Sequence, residues 1–401
     1  MLHNDSQLLR HHIHRIKFTE LNEIYMAMGI RSFVNGMIGI FVPIYLLNLG
    51  FSIREIIVFH IVLYAAEAVL EFVSVRTIAR FGPKHNIILS LPIQAFHFWM
   101  LRTIPTHHWP LWLVAIVGSF ALALFWQGYH FDFSKAKHTG KVSSEITKLY
   151  LILGALGAMA PFIGGFIATR FDMDTLYLVA ILGFFLATIP LFRTKDTPLK
   201  RRIDFSRLNK KKVLRQLVAY GSGGIESSAT MVIWPLFAFL IVGSYQSIGL
   251  VTSAALLITV FIAVFVSKRA DQGSKIHYIK TGSYLNGIAS FLRAAAESIV
   301  HVLFFNIAMA VTHSIFLSPF TAEYYLHADE ESRSEYMAIM EFSVDVAKIL
   351  FFVLLYVASF FLALKALLIA GMLIGAFSSF LIGLMPPTRA EIKEYLAEAK
   401  G

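Results

Sequence analysis

Polar and ionisable side chains lie inside several long apolar stretches of this chain. In a hydrocarbon environment a charged group costs roughly 2.5–3.5 kcal/mol, so it is expected to have an oppositely charged partner or a water-filled cavity. Burial also disfavours the charged form of a carboxylate, which makes it a better proton carrier near neutral pH. The candidates for binding a polar ligand or carrying protons are Arg31, Asn35, Glu67, Glu71, Glu226, His313, Asp345 and Lys348.

The spacing of the first four candidates predicts a polar ladder between two helices. Glu67 and Glu71 are four residues apart, as are Arg31 and Asn35, so each pair would share one face of a helix. At 1.5 Å per residue, Arg31 and Glu71 lie about 12 Å from the same side of the apolar layer. We therefore expect Arg31 to pair with Glu71, and Asn35 with Glu67.

Lys348 has two alternative partners in the sequence. One is Glu226, and the other is Asp345, three residues earlier in the same stretch. We expect Glu67, Glu226 or Asp345 to be a proton site, with Arg31 and Lys348 as counter-charges. The alternative is that these groups form static ion pairs that fix the register of neighbouring helices.

The elements that must position these residues are membrane helices. The chain of 401 residues is 57% hydrophobic and only 15% charged, whereas soluble domains have about 25% charged residues. Its clearest apolar stretches have about the 20 residues that a helix needs to cross a bilayer. The pattern predicts an all-α membrane protein with twelve transmembrane helices. The weakest of them is 277–292, which contains Lys280 and Asn286.

The distribution of basic residues predicts the orientation. With the N-terminus in the cytoplasm, 26 of the 35 Lys and Arg residues fall in cytoplasmic segments and five on the opposite side. Both termini are therefore expected in the cytoplasm of a multi-pass protein of the cell (inner or plasma) membrane. This bias also explains the net charge of +10, which favours contact with lipid headgroups and does not require nucleic-acid binding.

The two halves of the chain repeat each other. Asp132 and Glu323 are 191 residues apart, and so are Lys84 and Lys275, at equivalent points of the predicted topology. The densest basic segment lies between the halves. The sequence therefore predicts an N-terminal six-helix bundle at 1–192, a cytoplasmic linker at 193–215 and a pseudo-symmetric C-terminal bundle with a short tail at 216–401.

On these features the chain resembles the major facilitator superfamily. That family has a glycine-rich basic motif between its second and third helices, and Arg80, Gly82 and Lys84 match it, although Ala79 replaces the motif's acid. The resemblance implies a cytoplasmic gate that latches the two halves in one state and releases them in the other. The residues assigned to this gate are Arg80, Gly82, Lys84, Asp132, Asp271, Gly273, Lys275, Glu323 and Arg333.

A second signature lies in the fifth predicted helix. The run Ala160-Pro-Phe-Ile-Gly-Gly165 resembles a motif of the family's exporters. Small residues also allow helices to approach closely, and a buried proline bends the helix axis. Its candidate packing residues are Gly157, Pro161, Gly164 and Gly165.

The resemblance implies a secondary transporter that works by alternating access. From the exporter-like signature we expect proton-coupled efflux of a small solute by a monomer. One alternative is nutrient uptake by a symporter or facilitator, and another is a non-transporting sensor or lipid-handling protein. The sequence contains no zinc-protease or ATP-binding motif and no cysteine, so neither an enzyme nor a metal or cofactor is expected.

Overall fold

A computed structural model describes residues 22–136, 142–193, 195–196, 203–207, 210–270, 274–389 and 391–392. Its regular elements are helices throughout these ranges, which confirms the predicted all-α fold. Some helices contain a short 3₁₀ or π turn and are numbered as single units. They are α1 (Asn22–Asn48), α2 (Ile53–Phe81), α3 (Pro83–His107), α4 (Leu111–Ala136), α5 (Val142–Arg170), α6 (Met173–Phe192), α7 (Lys210–Ser228, Ala229–Ile233 and Trp234–Val242), α8 (Tyr245–Ala270), α9 (Lys275–Arg293), α10 (Ile299–Glu330), α11 (Arg333–Ala358) and α12 (Leu364–Ile382).

Local sequence signals set the helix ends. Ser52 and Glu55 form a capping box at the start of α2, in which each side chain bonds the other residue's backbone N–H. Asp172 accepts a 2.6 Å hydrogen bond from the backbone of Thr175 and so caps α6. This bond also lowers the pKa of the Asp172 carboxyl group, because it stabilises the charged form.

Eight of the helices in the described ranges are long and apolar enough to cross a membrane, namely α1–α4, α6, α7, α10 and α12. The protein is therefore a multi-pass membrane protein. The weakest predicted segment, 277–292, does form a helix, α9. Membrane crossing by α5, α8, α9 and α11, and hence the full count of twelve, stays a prediction, as does the position of the termini.

The helices pair laterally in a pattern that occurs twice along the chain. Among the first helices, α4 packs on α2 and α3, and α3 packs on α6. Six helices later, α10 packs on α8 and α9, and α9 packs on α12. The contacts of α2 with α11 and of α5 with α8 join early helices to late ones. This repetition fits the expected duplication, while the boundaries 1–192, 193–215 and 216–401 stay predictions. Helix α7 already begins at Lys210, within the expected linker.

The exporter-like signature of α5 lies against two neighbouring backbones. A β-carbon on Gly164 would collide with the backbone of Met37 in α1. One on Gly165 would lie 2.5 Å from the carbonyl oxygen of Tyr245 in α8. The contact at Gly157 is looser, because its nearest neighbour is the Ser32 hydroxyl at 3.8 Å. The two adjacent glycines thus permit close packing on both sides of α5.

Pro161 marks the closest contact between α5 and α8. A β-carbon on Gly249 of α8 would collide with the carbonyl oxygen of Pro161. Next to it, the Ser253 hydroxyl accepts a 2.9 Å hydrogen bond from the backbone N–H of Phe162. The side chain from α8 therefore satisfies backbone polarity near the proline, as is needed inside a membrane.

The glycine-rich start of α7 does not break the helix. Gly221 lies within an unbroken α-helix, where a β-carbon would be 3.2 Å from the Ala347 side chain of α11. The irregularity comes later, as a π turn at Ala229–Ile233. The glycines serve close packing, and the π turn begins three residues after the buried polar residue Glu226.

Candidate functional site

Three carboxylates meet where α2 packs on α11. Glu67 and Glu71 of α2 and Asp345 of α11 each bring an oxygen to within 4.8 Å of the other two. Each of these residues is at most 3% exposed. The i,i+4 spacing predicted from the sequence puts both glutamates on one face of α2, and tertiary packing brings Asp345 to that face. We call these three residues the acidic cluster.

Lys348 lies beside the acidic cluster. Its Nζ is 3.3 Å from Oδ1 of Asp345, one turn away on the same helix. The ammonium also lies 4.4 Å from the ring centroid of Tyr64 in α2, a distance typical of cation–π contacts. Of the two partners proposed from the sequence, Glu226 and Asp345, the structure selects Asp345.

The expected ladder between α1 and α2 does not form. The guanidinium carbon of Arg31 lies 3.5 Å from the ring centroid of Phe125 in α4. No hydrogen bond or ion pair joins Arg31 to Glu71, or Asn35 to Glu67, although the structure describes all four residues. Arg31 acts on Glu67 only through space. The Arg31 guanidinium thus contacts an aromatic ring of α4 instead of Glu71. Residue spacing along α1 and α2 could not predict this contact.

A hydrogen-bonded group links α4 to α10 and α11. His130 Nδ1 of α4 lies 2.8 Å from the hydroxyl oxygen of Tyr325 in α10. Its Nε2 is 3.5 Å from Oε1 of Glu341 in α11, which also accepts a 3.2 Å hydrogen bond from Tyr324. These contacts lie near the predicted cytoplasmic ends of the helices. We call this group the His130 bridge.

A second polar network is centred on Glu226 of α7. Its Oε1 accepts hydrogen bonds from Asn286 at 3.1 Å and from Thr230 at 3.2 Å. His313 Nδ1 lies 3.8 Å away, and its side chain is 29% exposed. The buried Glu226 is thus held by two donors, while the neighbouring histidine is partly exposed. This arrangement suits recognition of a polar ligand.

Arg293, the last residue of α9, extends this network. It is one of the five basic residues predicted on the outer side, which stays a prediction, and it is only 4% exposed. Its Nη2 donates a 3.0 Å hydrogen bond to Asn306, which also accepts a 2.6 Å bond from the indole of Trp234. One sequence feature could have indicated this network, namely the unusual number of polar residues, such as Asn286, in the weak ninth segment.

Contacts at the predicted outer ends also connect early and late helices. The Asn48 amide donates a 2.7 Å hydrogen bond to the hydroxyl of Tyr245. Arg54 donates a 2.9 Å bond to the backbone oxygen of Ser359. Together with the His130 bridge, these contacts join helices of the two predicted bundles near both ends.

The predicted cytoplasmic gate begins at the turn between α2 and α3. Gly82 has a φ of +103° there, a conformation that side chains disfavour. Lys84 forms a buried ion pair with Glu23 of α1, with 2.8 Å between Nζ and Oε2. The guanidinium of Arg80 lies 5.1 Å from the ring centroid of the adjacent Phe81, and no ion pair joins the described residues Arg80 and Asp132.

Two carboxylates that the sequence argument missed occupy matching places at the predicted cytoplasmic surface. Asp196, which follows α6, accepts a 2.9 Å hydrogen bond from the backbone N–H of His85 at the start of α3. Glu391, which follows α12, accepts a 3.2 Å bond from the backbone N–H of Ile276 at the start of α9. Each carboxylate is favourable near the positive end of a helix, so both turns are held by a residue far away in sequence.

The other predicted gate residues are dispersed. Glu323 is buried and accepts a 3.1 Å hydrogen bond from the backbone of Thr388. Arg333 Nη2 lies 2.6 Å from Oδ1 of Asp329, and Lys275 is the first residue of α9. The predicted gate residues that lie outside the described part of the chain are Asp271 and Gly273.

Two surface grooves lie apart from these polar groups. One, of about 570 Å³, lies at the predicted outer ends of α2, α4 and α11 and is lined by residues such as Arg54, Trp109 and Tyr356. The other, of about 360 Å³, lies between α7 and α11 and has mostly apolar walls. Neither groove includes the acidic cluster or Glu226, so neither groove coincides with the candidate polar sites described above.

Comparison with known proteins identifies structures that share this fold. Two are crystal structures of the nucleoside transporter NupG, one of them of a mutant. The mutant structure matches with a TM-score of 0.66 and 12% identity, over 94% of this chain and 100% of the other. The second matches with a TM-score of 0.62 and 13% identity, over 94% and 99%. At this identity the likeness shows the fold. No family model matches the chain, and no curated protein matches it.

Proposed function

We propose that this chain is a secondary transporter of the major facilitator superfamily that takes up a small polar solute by alternating access. The observation that carries the proposal is the position of the acidic cluster. It lies where α2 meets α11, so it belongs to both predicted bundles at once. In transporters built from repeats, substrate and coupling-ion sites lie at the junction of the repeats.

Uptake replaces the efflux that the sequence analysis favoured. The exporter-like signature was its basis, and Gly164 and Gly165 have a sufficient packing role against α1 and α8. The proteins of matching fold are described as nucleoside transporters. Nucleosides are therefore the first solutes to test, as compact molecules with several hydrogen-bonding groups. We further propose that the protein acts as a monomer in the cell membrane.

The Glu226 network and the acidic cluster have different roles in this proposal. The Glu226 network, with the partly exposed His313, offers a carboxylate and an imidazole to the solute. The acidic cluster and Lys348, at the contact of α2 with α11, respond to a cation gradient. The His130 bridge and the contacts of Asn48 and Arg54 form the two closures that must open alternately. Proton coupling, as expected from the sequence, stays a prediction.

Solute uptake in oriented vesicles tests this function. Right-side-out vesicles that contain the protein should accumulate radiolabelled uridine or adenosine above protein-free vesicles, and at low solute concentration a Glu226→Gln variant should accumulate much less. Arg76→Gln is the matched control, because Arg76 is an exposed residue of α2 that bonds only its own helix. Accumulation only in inside-out vesicles would restore efflux. Leaflet exchange of labelled lipid without solute movement would favour the lipid-handling alternative.

A further inference from the structure

We propose that the acidic cluster, completed by Gln127, is a binding site for a small monovalent metal cation of the size of Na⁺. The inference deepens the proposed function, because it names the ion whose gradient would drive uptake. The binding itself does not depend on which solute is carried. Protonation of the same carboxylates is the competing account.

The separation of the carboxylate oxygens fits a shared metal ion. All three oxygens lie within 4.8 Å of one another. A hard cation with oxygen ligands at roughly 2.3–2.6 Å holds opposite ligands up to about 5 Å apart. The three separations are therefore compatible with oxygens arranged around one ion.

Gln127 of α4 provides an independent observation. Its side chain is buried at 1% exposure and lies close enough to Glu71 to stabilise the charge of that carboxylate. Within the described part of the chain, however, its Nε2 makes no hydrogen bond with good distance and angle. The two ends of an amide are interchanged by a simple flip, after which Gln127 presents a neutral oxygen to the cluster. One carboxylate oxygen each of Glu67, Glu71 and Asp345 also has no hydrogen-bond partner among the described residues.

The balance of charge favours binding of a cation. The three carboxylates face two basic groups, Lys348 in contact with Asp345 and Arg31 acting on Glu67 through space. Glu341, the next acid of α11, adds a further negative charge that acts on Glu67 and Glu71 through space, and it is hydrogen-bonded by Tyr324. An excess of negative charge at membrane depth is costly. A monovalent cation lowers this excess, and a comparison with Ca²⁺ distinguishes it from a divalent ion.

The site would couple ion binding to the position of the helices. Its ligands come from α2 and α4 on one side and from α11 on the other. A bound ion would hold α2 against α11, and loss of the ion would leave carboxylates facing one another across this contact. Ion occupancy would thus bias the equilibrium between open and closed forms.

Thermal unfolding of the purified chain in lipid nanodiscs, without solute, tests the site. We expect NaCl to raise Tm saturably by about 3 °C or more relative to choline chloride at equal ionic strength, at each pH between 6 and 8. The rise should disappear in Glu71→Gln and Asp345→Asn and persist in Arg76→Gln. Binding of ²²Na⁺ to the unaltered protein gives a second measurement that does not depend on folded variants.

Several results would overturn the site. They are equal Tm values of the unaltered protein in both salts, a Na⁺ effect that survives both substitutions, stabilisation by Ca²⁺ instead, or a response to pH alone, which would assign the cluster to protons. Failure of the proposed function is separate. Binding of ²²Na⁺ without solute accumulation would support the cation site and contradict the transport proposal. Solute uptake without Na⁺ binding would support the transport proposal and contradict the cation site.

Discussion

His130 of α4 and Tyr325 of α10 are joined by a hydrogen bond of 2.8 Å between the imidazole Nδ1 and the phenolic oxygen. The two residues are 195 positions apart in the chain and belong to different predicted bundles. The Tyr325 ring also packs on Phe133, with ring centroids 4.9 Å apart. A polar contact and an apolar contact therefore close the same junction. A substitution that removes only the hydroxyl of Tyr325 can distinguish their contributions.

The first prediction concerns opening at this junction. Tyr325→Phe keeps the ring but removes the hydroxyl, so about 1 kcal/mol of closure is lost and the open population rises about fivefold. The chain has no cysteine, so spin labels at Phe81→Cys and Asp329→Cys, near the predicted cytoplasmic ends of α2 and α10, can report it. We expect a larger fraction of long distances in the variant. Identical distance distributions would show that the hydrogen bond does not hold the junction.

The second prediction concerns the buried pair of Lys348 and Asp345. Lys348→Met leaves Asp345 without its cation, and removing one partner of a buried pair costs about 3–5 kcal/mol. We expect a clear fall in the Tm of the purified protein. The double variant Lys348→Met with Asp345→Asn should recover most of the Tm but not uptake. An unchanged Tm in the single variant would mean that the pair does not stabilise the fold.

The third prediction concerns the contact between α5 and α8. Gly249→Ala places a methyl group against the carbonyl oxygen of Pro161, and overpacking of this kind costs about 1–3 kcal/mol. Gly39→Ala is the matched control, because no atom lies within 4 Å of a β-carbon added there. Thermal unfolding should show a lower Tm for the first variant only. Equal Tm values would mean that α5 and α8 can move apart without a loss of stability.

The fourth prediction concerns solute affinity at Glu226. Glu226→Gln keeps the side-chain shape but weakens hydrogen bonds that involve its charge, which are worth about 1.5–3 kcal/mol. We expect the solute concentration for half-maximal uptake to rise about tenfold or more and Tm to fall, because Asn286 and Thr230 bond the same carboxylate. Glu297→Gln, at an exposed position before α10, is the control. A fall in maximal rate alone would place Glu226 in the transport step and not in binding.

Much of the candidate site could be predicted from the sequence, because isolated charges in apolar stretches are visible without a structure. Glu67, Glu71, Asp345 and Lys348 were identified in this way, and the structure brings them together. Arg31 was also identified, but its partner was not, since spacing gives depth and facing but does not reveal that Phe125 lies closer than Glu71. Gln127 and His130 were not among the predicted site residues, because neither carries a charge that must be explained.

That this is a membrane protein made of helices could be read from the sequence alone. These properties are local, since each helix satisfies its own backbone and hydropathy is read along one segment. In contrast, the contacts of α2 with α11 and of α5 with α8, and the contact of Asp196 with the start of α3, became visible only in the folded chain. Such contacts depend on how small residues and aromatic faces fit between distant segments, and no single segment contains that information.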